Sequence, residues 1–222
     1  TLIHQNNMGS FVGPDIVDNG LVFAYDAGSE RCYPGSGTSA ANIESQAIPG
    51  TLTNGVTFST DNGGTWDFDG TDDYIDIGNP TALQNLATGT IEAVYYRDAS
   101  TGTYQMIFSD NGSKFELTYL GNTLQFYIGN SGIGVAHAVT GEFFHVAGVW
   151  GSGYKKLYLN GSEVASGTNT GVNTGSITRY IGGRGSSLSF NGKIPLVRVY
   201  TAALTAAEVL QNFNAQRSRF GL

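Results

Sequence analysis

The sequence predicts an all-β protein: a sandwich of two antiparallel sheets with roughly a dozen strands and one short C-terminal helix. Glycine supplies 32 of the 222 residues, and charged residues supply only 13%, about half of the ~25% found in an average soluble domain. Short apolar segments with a period of two alternate with tight-turn dipeptides, which is typical of many short strands. Twelve tyrosines, twelve phenylalanines and two tryptophans provide enough apolar surface for a core and exclude a disordered chain.

Asparagine–glycine and aspartate–glycine pairs mark the strand boundaries. Both residues tolerate the positive φ angles that two-residue hairpin turns require. These pairs begin at Asn19, Asn54, Asn62, Asp69, Asn111, Asn160 and Asn191.

The segments between these turns are predicted strands. Leu21–Tyr25 and Tyr74–Ile77 alternate as single strands. Phe115–Tyr119 and Leu124–Ile128 flank a Gly-Asn pair as a hairpin, in which Glu116 lies on the face opposite to the apolar side chains. A second hairpin joins the segments 156–159 and 163–165.

The clearest helix signal is a capping box in Thr205-Ala-Ala-Glu208. The apolar spacing after it predicts a helix over about 205–216, followed by a short tail. Residues 1–17 contain Pro14 and show neither period, so we expect an N-terminal arm before a single domain at 18–222.

Charge and cysteine content exclude several classes of protein. The net charge is −7, so the chain as a whole has no basic footprint for nucleic acid. No apolar run reaches transmembrane length, which predicts no membrane partner. Cys32 is the single cysteine, so an intrachain disulfide is impossible.

Eight segments together resemble one known family in order and spacing. The segments are Trp66–Ile75, Ile91–Ala93, His145–Ala147, Lys156–Gly161, Ile181–Gly183, Phe190–Ile194, Val197–Tyr200 and Ala203–Val209. They resemble the laminin-G-like branch of the concanavalin A-like jelly rolls, over roughly residues 19–216. The resemblance implies a two-sheet jelly-roll sandwich.

Five other segments resemble structural proteins of tailed bacteriophages. They are Gly20–Val22, Asp26–Gly28, Tyr33–Thr38, Gly50–Gly55 and Gln211–Leu222. This narrower resemblance implies a bacterial virus as the source and the particle surface as the location.

Three positions depart from the pattern of these relatives. The loop Ser39–Ser45 replaces a segment that is usually Trp-Asp-Leu-Ser-Gly-Asn-Gly, Val94 replaces a tryptophan, and Pro195-Leu196 replaces an acid. The first and third departures remove carboxylates. We therefore predict no metal ion and no other cofactor. Asp69, Asp72, Asp73 and Asp76 form the densest carboxylate cluster, in which we expect Asp69 and Asp72 to build the turn and Asp76 to face water.

No catalytic residue is predicted. Glycosidases on this fold need two converging carboxylates, whereas the glutamates here are scattered and Glu92, on a predicted strand, is followed by Val94 and Tyr96. An acid pair could still meet in space. His145 has the pattern of a structural histidine on a strand, and Cys32 that of an inert thiol.

Several aromatic side chains could stack on sugar rings, although core packing explains the two tryptophans equally well. The candidates are Trp66, Trp150, Tyr127, Tyr154 and Tyr158. Tyr154, beside Gly151-Ser152-Gly153, has the most exposed setting.

Two function classes remain open. The first is a non-enzymatic virion structural protein, most simply a capsid decoration or another surface-displayed subunit, with capsid or tail proteins as partners and a homo-oligomeric state. The second is a glycan-binding adhesion module of a phage or of a secreted bacterial protein. For the first class we expect docking through the chain ends, with Phe11, Arg217, Arg219 and Phe220 as anchors. In the alternative, Phe220 packs back onto the domain.

Overall fold

A computed structural model describes residues 14–45, 48–169, 171 and 175–222. Within these residues, all paired strands are antiparallel and form two eight-stranded sheets. The strands are β1 (Leu21–Asp26), β2 (Ser39–Ala41), β3 (Pro49–Thr53), β4 (Thr57–Ser59), β5 (Thr65–Asp69), β6 (Tyr74–Gly78), β7 (Gly89–Arg97), β8 (Tyr104–Asp110), β9 (Phe115–Leu120), β10 (Thr123–Ile128), β11 (Ser131–Ala136), β12 (Phe143–Gly151), β13 (Tyr154–Leu159), β14 (Ser162–Gly167), β15 (Arg179–Ile181) and β16 (Asn191–Tyr200); the one helix, α1, spans Ala206–Phe220.

The two sheets are named here by their relation to α1. The helix-side sheet has the order β14-β13-β12-β7-β16-β5-β4, with β1 also pairing with β16. The far sheet has the order β11-β10-β9-β8-β15-β6-β3-β2. This architecture confirms the predicted jelly-roll sandwich. The described residues hold more strands than predicted because β2, β4 and β15 have three residues each, too few to show a period of two.

The core lies between the sheets and is built by alternation. On β10, Leu124, Phe126 and Ile128 have no exposed surface, whereas the residues between them are partly exposed. Trp66 and Trp150 are also fully buried in this core. Core packing is therefore their role, and neither ring can stack on an external ligand.

The turn dipeptides behave as their chemistry predicts. Asn54, Asn62 and Asn160 have φ values of 66°, 51° and 47°, in the left-handed region, where asparagine is better tolerated than most residues. The glycines that follow them also have positive φ. These residues place the turns that separate the strands.

The capping box of α1 is confirmed. The Thr205 side chain accepts a hydrogen bond from the Glu208 amide, and the Glu208 carboxylate accepts one from the Thr205 amide. The helix continues to Phe220 and ends at Gly221, which is left-handed and suits a helix C-cap. The segment predicted as a tail is therefore mostly the last turn of the helix.

Helix α1 covers the outer face of the helix-side sheet. Val209 packs with Val17, Ala147 and Tyr200 in one apolar cluster, and Phe220 packs with Val94, Phe143 and Leu196 in another. The Val17 amide donates to Asn212 of the helix at 2.8 Å, so the end of the predicted arm joins this layer. The described residues include no helix with the length and apolar character needed to cross a membrane.

Candidate functional site

A buried polar cluster lies between α1 and the helix-side sheet, centred on Glu92. His145 Nε2 lies 3.2 Å from Glu92 Oε2, and Arg198 donates to Oε1 at 2.9 Å. Asn212 of the helix donates to Oε2 at 3.0 Å, and the Tyr200 hydroxyl donates to Oε1 at 3.3 Å. Four side chains from three elements thus surround one carboxylate.

These partners determine the ionisation of Glu92. Burial alone would raise its pKa, but the hydrogen bond from His145 and the charge of Arg198 lower the pKa to about 2. Glu92 and His145 have no exposed surface. The Glu92 carboxylate is therefore a permanent anion that fastens the helix to the sheet, and it cannot reach a substrate. His145 has the structural role that the sequence favours.

The outer face of the far sheet has a different character. Cross-strand partners point to the same side of a sheet, so the pairs Asp76–Tyr180 and Tyr180–Ser109 place these side chains in one row. The pair Glu116–Tyr127 continues that row on β9 and β10.

Tyrosines are concentrated on this face. Tyr74, Tyr104, Tyr127 and Tyr180 are all partly exposed, and the rings of Tyr74 and Tyr180 meet edge-on at 5.6 Å. Since tyrosine joins an apolar ring to a hydroxyl, such a face suits a ligand with both C–H and O–H groups.

Tyr127 is held flat against its neighbouring strand. A Cβ atom on Gly132, its cross-strand partner, would lie 2.7 Å from two atoms of the Tyr127 ring. The ring therefore occupies the space above the glycine, an arrangement known to stabilise glycines at sheet edges. One side of the ring rests on β11, which leaves the other side facing outward.

The loop between β15 and β16 crosses the outer face of β8. Its Gly183 carbonyl accepts from Ser109 on β8 at 2.6 Å, the Leu188 carbonyl accepts from the Met106 amide at 3.0 Å, and Arg184 forms an ion pair with Glu116 on β9. The loop thereby forms a wall beside Tyr127.

A cavity of about 160 Å³ lies between this loop and the sheet. Its lining residues are Tyr104, Ser113, Glu116, Tyr127, Arg184 and Leu188. We call this cavity the Glu116 pocket.

Backbone strain is concentrated at the Glu116 pocket. Ser113 and Leu188 have φ values of 57° and 54°. All other non-glycine residues with positive φ in the described part of the chain are asparagines, which tolerate this region better. Strained backbone outside asparagine and glycine therefore occurs at two residues that line one pocket, a distribution that favours a functional site.

Burial also sets the ionisation of Glu116. It raises the pKa of Glu116 to about 7; the charge of Arg184 lowers the pKa and that of Asp110 raises it. Glu116 Oε1 pairs with Arg184, and no partner of Oε2 is found among the described residues. Near neutral pH, this carboxyl can therefore both accept and donate hydrogen bonds to hydroxyl groups.

The other aromatic candidates lie elsewhere. Tyr154 is 39% exposed and lines a groove on the helix-side sheet with Lys156, Tyr158 and the start of α1. This groove faces away from Tyr127. Cys32 is buried, and burial raises its thiol pKa to about 11, in line with the inert thiol predicted.

The acidic residues of the β5–β6 turn meet in space. Ligand oxygens of Asp69, Asp72 and Asp73 lie within 4.8 Å of one another. Asp73 Oδ2 accepts from the Asp69 amide at 3.0 Å, and Asp69 Oδ1 accepts from the Thr71 amide at 2.7 Å. Asp69 thus builds the turn, as the sequence favours, but the second carboxylate that holds the turn is that of Asp73 and not that of Asp72. The absence of a metal requirement stays a prediction.

The predicted docking residues have mixed positions. Arg217 is exposed. Arg219 donates to Asp26 at 2.7 Å and Phe220 is 5% exposed, so Phe220 packs back onto the domain, as in the alternative. Phe11 lies outside the described residues. Docking through the chain ends remains a prediction, for which Phe220 offers no free surface.

Most of the Glu116 pocket could not be predicted from the sequence. Alternation around Glu116 placed it on the outer face, which was a usable signal. Arg184 lies in Gly182-Gly183-Arg184-Gly185, a segment with the composition of a plain turn. Its contact with Glu116 spans 68 residues, so local pattern could not reveal it.

Comparisons with known proteins define the family. A laminin G family model, described as the concanavalin A-like lectin/glucanases superfamily, matches residues 69–210. The match spans more than half of the chain, and the protein therefore belongs to this superfamily. No curated protein sequence matches the chain significantly.

Solved structures with the same fold include three that differ in function. Domain 4 of AbnA, a GH43 extracellular arabinanase from Geobacillus stearothermophilus, in complex with arabinotriose, has 19% identity and a TM-score of 0.69 over 87% of this chain and 98% of that chain. Trypanosoma rangeli sialidase in complex with sialic acid has 15% identity and a TM-score of 0.69, covering 90% of this chain but 33% of the sialidase. The binding domain of botulinum neurotoxin DC in complex with rat synaptotagmin II has 12% identity and a TM-score of 0.69, covering 89% and 52%. At these identities the likeness concerns the fold.

Proposed function

We propose that this protein is a non-catalytic glycan-binding module that holds a saccharide on the outer face of the far sheet. The observation that carries the proposal is the Glu116 pocket, where an outward-facing tyrosine ring, a carboxyl group and a guanidinium surround one cavity. An aromatic ring packs against the C–H face of a sugar, while the charged groups hydrogen-bond to its hydroxyls. The neighbour that was solved with arabinotriose supports the proposal by analogy of fold.

The size of the pocket fits this role. Its volume of about 160 Å³ is below the ~300–1,000 Å³ of pockets that enclose a whole small molecule. One sugar ring of a longer saccharide is a suitable occupant, and the remaining rings would lie on the surface outside the pocket.

The positions of the carboxylates argue for binding without hydrolysis. Glycoside hydrolysis uses two carboxyl groups on either side of the scissile bond. The acidic residue whose charge reaches Glu116 is Asp110, which is fully buried. Its Oδ1 accepts from the amides of Gly112 and Lys114 at 2.9 and 3.0 Å. Asp110 therefore has a turn-forming role, and Glu116 has no exposed acidic partner among the residues whose contacts are described.

A glycan array with the purified protein tests the proposal. Binding to a defined set of saccharides is expected, and incubation with the same saccharides should release no reducing ends. Binding to no glycan on the array would refute the proposal, and release of reducing ends above a no-protein control would refute its non-catalytic part.

A virion structural role is the second candidate. It is favoured by the resemblance of Gly20–Val22, Gly50–Gly55 and Gln211–Leu222 to tailed-phage proteins. Cryo-electron microscopy and protein quantification of a purified phage particle test it. A copy number near that of the major shell protein supports a decoration protein, a few copies support an adhesin, and absence from particles refutes both virion roles.

A further inference from the structure

We infer that the Glu116 pocket selects an uncharged sugar ring with two adjacent free hydroxyl groups and holds that ring against Tyr127. This inference rests on the proposed function and adds the chemical class of the ligand. It follows from the charge balance of the pocket, from the pairing of its two ionic groups and from the position of its aromatic ring.

The charge balance disfavours ionic sugars. Glu116 and Arg184 are the two ionic side chains that line the pocket, and they pair with each other. A sugar carboxylate would approach Glu116 and compete for an arginine that already has an anionic partner. An amino sugar would meet the converse problem at Arg184. An uncharged ring avoids both costs, since it leaves the ion pair intact.

The pairing of Glu116 and Arg184 presents an acceptor beside a donor. The Arg184 side chain is 20% exposed, while that of Glu116 is 3% exposed. The carboxyl can accept from one hydroxyl, and the guanidinium can donate to the oxygen of the next. Two adjacent hydroxyls match this arrangement, whereas a single hydroxyl satisfies only one of the two groups.

The aromatic ring fixes the orientation of the sugar. Gly132 leaves space for the Tyr127 ring to lie against β11, and Tyr127 lines the pocket. Tyr104 lines the same pocket. The β15–β16 loop closes the pocket on the side of β8, so the rest of the saccharide must extend away from this loop.

Competition experiments test the inference on the glycan that the array identifies. The competitors are galactose, glucose, mannose and arabinose, together with galacturonic and glucuronic acids, which keep the ring hydroxyls of galactose and glucose but carry a charge. At least one neutral sugar should compete tenfold better than the uronic acids, and removal of one of two adjacent hydroxyls from that sugar should cost at least tenfold in affinity. Equal competition by the uronic acids, or full affinity of every deoxy analogue, would overturn the inference.

Three variants connect the result to the pocket. Glu116→Gln should weaken binding at least tenfold, and Tyr127→Ala should abolish it. Gly132→Ala keeps every polar group but displaces the Tyr127 ring, so it should also weaken binding. Tyr154→Ala removes an exposed tyrosine from the opposite sheet and is the matched control, with unchanged affinity expected.

The outcomes separate this inference from the proposed function. If the wild-type protein binds no glycan, the proposed function fails. If it binds and folded Glu116→Gln and Tyr127→Ala variants, with wild-type thermal unfolding, bind equally well, glycan binding stands and the Glu116 pocket is the wrong site.

Discussion

The two outer faces of the sandwich each carry one buried glutamate, and the pKa values of the two glutamates shift in opposite directions. Glu92 lies under α1 and has four side-chain partners, of which His145 and Arg198 lower its pKa to about 2. Glu116 lies on the face without a helix and has one ionic partner, Arg184, and its pKa rises to about 7. Burial costs each carboxylate solvation, but only at Glu92 do the partners outweigh that cost.

This difference separates a structural acid from a candidate binding acid. A carboxylate with all its acceptor positions filled contributes to stability and has nothing to offer a ligand. A carboxyl with one partner beside a cavity is less favourable for folding, yet it keeps hydrogen-bonding capacity for another molecule. The comparison predicts that changes at Glu92 affect stability, and changes at Glu116 affect binding.

The largest expected effect is that of Glu92→Ala. Removal of this carboxylate leaves Arg198 as a buried, uncompensated charge, and breaking a buried pair in this way costs about 3–5 kcal/mol. Thermal unfolding followed by circular dichroism should show a Tm lower by roughly 10 °C. Glu116→Gln is the matched control and should keep a Tm within about 2 °C of the wild type at pH 7. A Glu92→Ala variant with wild-type Tm would contradict the structural role.

The next effect is that of Phe220→Ala. The ring centroids of Phe220 and Phe143 are 5.1 Å apart, and Phe220 belongs to a small apolar cluster with Val94 and Leu196. Its truncation should cost about 2 kcal/mol, less than the ~3–5 kcal/mol of Phe-to-Ala changes inside a core, because the site lies at the end of the helix. Because the Phe220 side chain is buried, its truncation is expected to lower stability as well as any docking. Arg217→Ala, on the exposed side of the same turn, should leave the Tm unchanged and is the better variant for a docking assay. Equal Tm values for the two variants would show that the Phe220 contact adds no stability.

Particular residues show which parts of the fold can be predicted from the sequence. Turn dipeptides such as Asn54-Gly55 and Asn160-Gly161 predicted hairpin boundaries because positive φ is a local property. The capping box at Thr205 predicted where the helix begins. The apolar spacing predicts a helix end near Gln216, since the next residues are polar, although Gly221 is the residue that caps the helix.

The two faces differ in how much the sequence reveals of them. The alternation of apolar and polar residues predicts that Glu116 lies opposite to the core side chains. Its partner Arg184, however, comes from the loop that connects one sheet to the other. The Glu92 cluster likewise needs β7, β12, β16 and α1 to meet. Both clusters depend on tertiary contacts, which neither period nor turn chemistry specifies.

A smaller effect is expected from pH. The folded-state pKa of Glu116, about 7, lies above its ordinary value of 4.5, so its contribution to stability is present below pH 4.5 and is lost as pH rises through 7. Glu92 has the opposite sign, since its contribution is present above pH 4.5 and is lost as pH falls toward 2. As pH rises from 5 to 8, the free energy of unfolding of the wild type should therefore fall by about 1 kcal/mol relative to that of Glu116→Gln. The fall is smaller than the full pKa shift implies, because solvent near the pocket screens part of the effect.

Paired melting curves measure this difference. Burial lowers the pKa of His137, and the protonation of this residue also contributes to the pH dependence of stability. His137 is present in both proteins, so its contribution cancels in the comparison. A relative Tm decrease of about 2–4 °C for the wild type is expected as pH rises from 5 to 8. A constant difference between the curves would show that Glu116 is not perturbed by its pocket.

The smallest expected effect, none, is that of calcium removal. Calcium takes about six to eight oxygen ligands, whereas in the β5–β6 turn Asp69 Oδ1 and Asp73 Oδ2 already accept backbone amides. Burial raises the pKa of Asp73, and the neighbouring Asp69 and Asp72 charges raise it further. Excess chelator should leave the Tm unchanged, with added calcium as the matched control. A decrease of more than a few degrees that calcium reverses would show that Asp69, Asp72 and Asp73 bind the ion, and the β5–β6 turn would then be a second place, beside Glu92, where acidic side chains stabilise the fold.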